Sequence, residues 1–216
     1  MALYSDKNIN NCYSIDKIKN VAGVSFGYSS LDANKILCCI AVMDITAMSV
    51  NVIKIKYAAK CNRTYDENIN NELAAFKKTK DSLTKNPDVY LFSRHGSLSG
   101  NKLNLPTAAY NICCEPCIGV TCIMPDLSGT VVESGDWKIP GVHRIMHGNR
   151  HIACELSCFS YKEPLYVSVG SSFPLETASR IVRMSVKIDT GEIRPAPLII
   201  SEKAIEAEIG KTAYFN

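Results

Sequence analysis

The stretch from Asn34 to Lys60, NKILCCIAVMDITAMSVNVIKIKYAAK, constrains the fold more than any other part of the chain. Its last part alternates strictly: Ile53, Ile55 and Tyr57 point one way, while Lys54, Lys56 and, further on, Lys60 point the other. A period of two belongs to a strand with one face on a core and the other in water. The Ile- and Val-rich run before it reads, with the alternating part, as two strands or as one long bent strand. Asp44 interrupts ILCCIAVMDITAMSV, which also falls short of the roughly 20 apolar residues that cross a bilayer. The stretch therefore predicts part of a sheet and not a membrane span.

A chain of 216 residues, 46% hydrophobic and 21% charged, can bury one sizeable core, and no Gly/Ser/Pro-rich linker divides it. We expect a polar N-terminal arm over 1–30 and a single β-rich domain over 31–216. A net charge of +3 is mild for a dedicated nucleic-acid binder, yet compatible with an anionic membrane surface through local patches. The start, MALYSDKNINNCYSIDKIKN, lacks the apolar core of a signal peptide. The expectation is a cytosolic protein whose ten Cys are thiols.

Further along, Thr64 and Glu67 form a capping box before a helix over about 66–83, with Ile69, Leu73, Phe76 and Leu83 on one stripe. Asp66, Glu67 and Glu72 crowd its start, and Lys77, Lys78 and Lys80 its end, as the helix dipole favours. PDVYLFSRHGSLSGNKLNLP reads as a short strand and an exposed Ser/Gly loop. YNICCEPCIGVTCIM, GTVVESGDW and EPLYVSVGS read as strands, and GVHRIMHGNRHIACELSCFSY as a hairpin turning at Gly148-Asn149. In IVRMSVKIDTGEIRPAPLIIS, Val182, Met184, Val186 and Ile188 alternate with Arg183, Ser185 and Lys187, predicting a strand over Ile181–Ile188 and a turn at Asp189-Thr190-Gly191. Pro195 and Pro197 predict an edge or extended tail, followed by a short helix from Ser201 as N-cap to Gly210 as its stop. The sum is an α+β fold with a mostly antiparallel sheet, one longer helix and a short C-terminal helix.

Three constellations bear on chemistry. Asp189-Thr190-Gly191 has the form of an aspartic-protease loop, but Glu192 follows it and the chain holds no second copy to share the proton. Cys114, Cys117 and Cys122 with His143, His147, His151, Cys154 and Cys158 follow a zinc-ligand grammar. The gap between the pairs is long, however, and the histidines fall across a strand, turn and strand, so we read buried thiols and turn histidines. YAAKC and NPDVYLF look like the base and acid segments of a chymotrypsin-like protease, with Cys158 a conceivable nucleophile. The base position holds Lys60, and no His precedes His95. No catalytic residue, metal or cofactor is assigned.

The order of elements resembles that of rhabdovirus matrix proteins over about Met48 to Glu206, most sharply from Met184 to Ile199. NRTYDENINNELAAF stands as strand-to-helix, DVYLFSRHGSLSGNKL as strand-to-exposed-loop, and RMSVKIDTGEIRPAPLI as the closing part. The resemblance implies a non-enzymatic viral structural protein of the virion and host cytoplasm. It would self-associate into a homo-oligomer, link the viral nucleocapsid to an anionic membrane surface, and meet RNA only indirectly. Lys54, Lys56, Lys60, Lys77, Lys78 and Lys80 are the expected membrane or nucleoprotein contacts, and Leu198, Ile199 and Ile200 the expected self-association surface. CIGVTCIMPD, FSYKEPLYVSVGSS and the closing strand also look like the β-core of plant-virus cell-to-cell movement proteins, with Asp126 ending a core strand. A viral cysteine protease of the chymotrypsin type, or its degenerate relative, is the third alternative.

Overall fold

The computed structural model describes residues 14–28, 34–59, 65–94, 104–124, 130–133, 139–157, 164–170, 173–186 and 194–213. After a 3-10 turn at Ile15–Lys17 come β1 (Asn20–Tyr28), β2 (Lys35–Asp44) and β3 (Ser49–Ala59), then α1 (Tyr65–Lys80) and β4 (Val89–Phe92). There follow α2 (Leu105–Cys113), β5 (Cys117–Thr121), β6 (Thr130–Val132), β7 (Val142–His147), β8 (Arg150–Leu156) and β9 (Leu165–Val169). The helices α3 (Leu175–Ser185) and α4 (Ala196–Ala213) are the last of the described elements. The strands form one sheet in the order β3-β2-β1-β4-β5-β9-β8-β7-β6. Only β1/β4 and β4/β5 pair in parallel, each crossing over through a helix, so the fold is α+β with a mostly antiparallel, mixed sheet.

Helices cover both faces of the sheet's central strands, which explains the unbroken apolar run of β2, buried from Ile36 to Met43. On one face Ala22, Val24, Ile40, Tyr90 and Phe92 pack against Ile69 and Phe76 of α1 and Leu105 and Ala109 of α2. The Phe76 ring stands edge-on to Tyr90 and Phe92 at 5.3 and 5.4 Å, and burying it contributes about 2–3 kcal/mol. On the other face Val21, Leu91, Ile118 and Val167 meet Ala178, Ile181 and Val182 of α3 and Leu198 of α4. The start of α4 lies so close to β1 that a Cβ on Gly23 would sit 2.1 Å from the Pro197 carbonyl carbon, so only glycine fits there.

Several local expectations change. Residues 20–28, placed in a polar arm, form β1 in the middle of the sheet, because Gly23, Ser25 and Gly27 are small for the helix above them and not because they face water. Over Ile181–Ser185 the expected strand Ile181–Ile188 is instead the end of α3, Val186 makes an isolated bridge with Pro195, and Lys187 and Ile188 lie outside the described residues. Ala178, Ile181, Val182 and Ser185 are buried at helical spacing, while Met184, which alternation placed on the buried face, is 48% exposed. YNICC ends a helix: Asn104 caps α2 by accepting the Thr107 N–H at 2.9 Å, and Cys114 closes it in the left-handed region at φ 61°. Pro195 and Pro197 lead into α4, where the first turn has no amide to lose, so Ser201 lies inside the helix and Gly210 does not end it. The hairpin turn at Gly148-Asn149 joins β7 to β8 as expected, with Gly148 at φ 58°. Asp189-Thr190-Gly191 and the Thr64 cap lie outside the described residues.

Candidate functional site

Ligands of sheets with parallel strands gather outside the carboxyl ends of those strands, where the chain turns away in different directions. Here those ends belong to β1, β4 and β5. Val24 opposite Phe92 is the last paired position of β1 and β4, so Ser25 to Tyr28 and Ser93-Arg94 run past it together.

The two faces of β1 end differently. Toward α1, the buried carboxylate of Glu72, 4% exposed, accepts two bonds on one oxygen: the Tyr28 hydroxyl at 3.0 Å and Arg94 Nη2 at 2.9 Å. A carboxylate this deep needs such donors to offset its lost hydration. Arg94 Nη1 also donates to the Ser93 carbonyl at 3.2 Å, yet the Arg94 side chain remains 49% exposed. Burial first, and then the charge of Glu72 and the bond to it, push the Tyr28 hydroxyl up to about 12 against the opposing pull of Arg94. Toward α4 there is no charge. Ser25 and Ser201, both buried, lie 2.6 Å apart, and since Ser201 donates to the Leu198 carbonyl at 2.9 Å, Ser25 is the donor between them.

Of the residues singled out from sequence, Lys54 and Lys56 lie on β3, the outer strand, and Lys77, Lys78 and Lys80 end α1 as it runs toward the amino end of β4. Lys60 and Cys158 lie outside the described residues. Leu198 and Ile199 are buried within the chain at the first turns of α4, and Ile200 is half-buried. Cys114 is exposed after α2, while Cys117 is buried at the start of β5 with Cys113 Sγ 3.7 Å away. Burial pushes the Cys117 thiol well above its ordinary value and the Cys154 thiol up to about 12, which leaves neither as a ready nucleophile. His143 and His147 are on β7, and His151 on β8 places Nε2 3.6 Å from Cys154 Sγ. Sequence reasoning passed over Ser25, Tyr28 and Arg94, and met Glu72 only as a helix-start acid.

A mixed sheet flanked by helices, with a charged cluster at the carboxyl ends of its parallel strands, is an architecture that takes ligands at that edge. Residues 4–200 match the sequence model of the Endonuclease V family, and the chain belongs to that family. Endonuclease V of Bacillus thuringiensis subsp. konkukian is 26% identical over 188 residues, covering 81% of this chain and 75% of its own length. That of Bacillus velezensis is 23% identical over 202 residues, covering 92% and 83%. The crystal structure of Endonuclease V from Bacillus subtilis shares the fold with a TM-score of 0.84 at 19% identity, over 97% of this chain and 88% of that one. Endonuclease V of Ciona intestinalis, solved with a 23mer DNA containing an inosine followed by a ribo-adenosine, gives 0.79 at 19%, over 93% and 89%.

These findings overturn the viral readings. The likeness to rhabdovirus matrix and plant-virus movement proteins was one of element order, and the family match over most of the chain replaces it. The virion location and the nucleocapsid and membrane partners fall with it; the relatives are endonucleases of Bacillus and Ciona, and no helix among the described residues is long and apolar enough to cross a membrane. The expectation of a non-enzymatic protein is corrected too, because the family is one of endonucleases. Its argument excluded peptide hydrolysis, for want of an imidazole base or a second Asp-Thr-Gly, and had no bearing on phosphodiesters.

Nucleases commonly work through divalent ions held by several carboxylates. The described residues do not fit that requirement: no three His, Cys, Asp or Glu side chains among them come together to hold an ion. Three of their carboxylates have other partners. Glu72 is held by Arg94 and Tyr28, Glu202 by Arg194, and Asp88, at the amino end of β4, accepts the Lys19 and Asn20 N–H groups at 2.9 and 2.8 Å. The centre of the sheet edge carries the Ser25–Ser201 hydroxyl pair instead.

Proposed function

We propose that this chain acts on DNA as an endonuclease V-type protein, seating an inosine-bearing strand across the carboxyl ends of β1 and β4. The observation that carries the reading is the family match over residues 4–200, joined to a fold shared with the Ciona protein held on inosine-containing DNA. The site supports it in physical terms. A half-exposed guanidinium and Tyr28, 41% exposed, stand together at one end of the sheet, offering a cation for a backbone phosphate and an aromatic side chain for a base. With a net charge of only +3, affinity depends on such placed contacts more than on a general basic field.

The test compares two oligodeoxynucleotides that differ in one base, inosine against adenosine, in the presence of magnesium or manganese. Gel shift should show tighter retention of the inosine strand. The reaction class of the family is phosphodiester hydrolysis, and nicks beside the inosine on a denaturing gel are its readout. Equal affinity for both strands, with no inosine-dependent nick, would refute the reading.

A further inference from the structure

We infer that the Arg94 guanidinium holds a backbone phosphate of a nucleic-acid strand at the carboxyl end of β4, and that it does so without a divalent ion. The inference rests on the DNA reading above and specifies how the strand is gripped. Three observations carry it. First, among the described residues no three His, Cys, Asp or Glu side chains come together to hold an ion, and the Arg94 guanidinium supplies a positive charge at this edge. Second, Arg94 is fixed where most surface arginines are loose: Glu72 behind it is 4% exposed, and the Ser93 carbonyl holds a second nitrogen. A guanidinium already ordered loses less conformational freedom on binding. Third, those two bonds use only part of the N–H fork, and the side chain is 49% exposed, so donors remain for a ligand.

Glu72 does not cancel the attraction. A phosphate on the open edge of the guanidinium stands a full guanidinium width farther from the carboxylate than from the cation, and the Coulomb term falls with distance. Arginine also matches phosphate geometrically, with two parallel N–H bonds to two oxygens. Tyr28, 41% exposed on the same carboxylate, puts an aromatic side chain beside the cation, a pairing that suits a nucleotide strand better than free phosphate.

Fluorescence anisotropy of the full chain with a labelled, inosine-containing single strand tests this, measured in EDTA and in magnesium across a salt series. Wild-type affinity in EDTA should stay within about two-fold of that in magnesium, since the main charge contact is protein-borne. Arg94→Gln should weaken binding several-fold and flatten the log-affinity against log-salt slope by about 0.7, the value for one lost phosphate contact on a single strand. Arg94→Lys keeps the charge and should restore the slope while recovering only part of the affinity. The double variant Glu72→Gln/Arg94→Gln leaves no buried charge unpaired and should show the same slope loss, separating the contact from a folding defect. Binding that vanishes in EDTA, or a wild-type slope in both the single and the double glutamine variants, would overturn the inference. A wild type that binds no oligonucleotide under any condition would fail the DNA reading itself, which keeps the two failures apart.

Discussion

The two faces of β1 reach the same end of the sheet with opposite chemistry. Toward α4, Gly23, Ser25 and Gly27 are small, and the Ser25–Ser201 pair is buried, neutral and internally satisfied. Toward α1, Tyr28 reaches a buried carboxylate that also holds a half-exposed arginine. The first face is built for close approach: β1 and α4 nearly touch at Gly23, and small hydroxyls permit that contact without leaving a polar atom unpaired. The second is wider and charged, and one member remains in water. Burial thus separates a neutral packing face from a charged, partly exposed one on a single strand.

The largest effect should come from breaking the charged face. Arg94→Ala leaves the Glu72 carboxylate with only the Tyr28 hydroxyl, and removing one partner of a fully buried pair costs about 3–5 kcal/mol. Because Arg94 is half in water, we expect about 2 kcal/mol by urea denaturation, mostly recovered when Glu72→Gln is added. A loss below about 0.5 kcal/mol would mean that the cluster behaves as an ordinary surface ion pair. The neutral face should respond less. Ser25→Ala removes one hydrogen bond, while Ser201 keeps its bond to Leu198, so the cost should be about 1 kcal/mol. Adding Ser201→Ala should cost little more, since the pair is coupled; additive losses would show that each hydroxyl has an independent role.

The same contrast explains what could be read from sequence. The alternation of β3, the hydrophobic stripe of α1 and the Gly148-Asn149 turn are local signals, and the sheet, the long helix and the hairpin follow from them. β1 escaped because half of VAGVSFGY is Ala, Gly and Ser, and a strand shaped by a helix pressed onto it shows no clear apolar alternation. α3 escaped because Val182, Met184 and Val186 satisfy a period of two while Ala178, Ile181, Val182 and Ser185 satisfy a helical one, and only packing decides between them. The site was the least legible part. Glu72 meets Tyr28 across 44 positions and Arg94 across 22, and no local spacing announces contacts of that length. Ser25 and Ser201, 176 apart, carry no chemical signature at all until they are seen buried together.

The smallest effect, and the one that separates the faces most cleanly, is in alkaline pH. The Tyr28 hydroxyl loses its proton at about 12 in the folded chain, against about 10 for an unfolded tyrosine, mainly through burial and then through Glu72. A group whose pKa is raised by folding contributes stability that is complete below the unfolded value and lost as pH rises toward the folded one. Between about pH 10 and 12 the unfolded chain therefore gains by ionising Tyr28 while the folded chain does not. Since Tyr28 is 41% exposed, solvent screens much of this, and the contribution should be about 1 kcal/mol or less. Denaturation midpoints of wild type and Tyr28→Phe, followed from pH 9 upward (roughly one unit below the tyrosine range), should converge as the wild type loses this increment. Ser25→Ala, on the neutral face, should lie parallel to wild type over the same window, because neither serine titrates there. A Tyr28→Phe curve that stays parallel to wild type would show that the phenol is not held by Glu72, and the charged face would then reduce to the Arg94 pair alone.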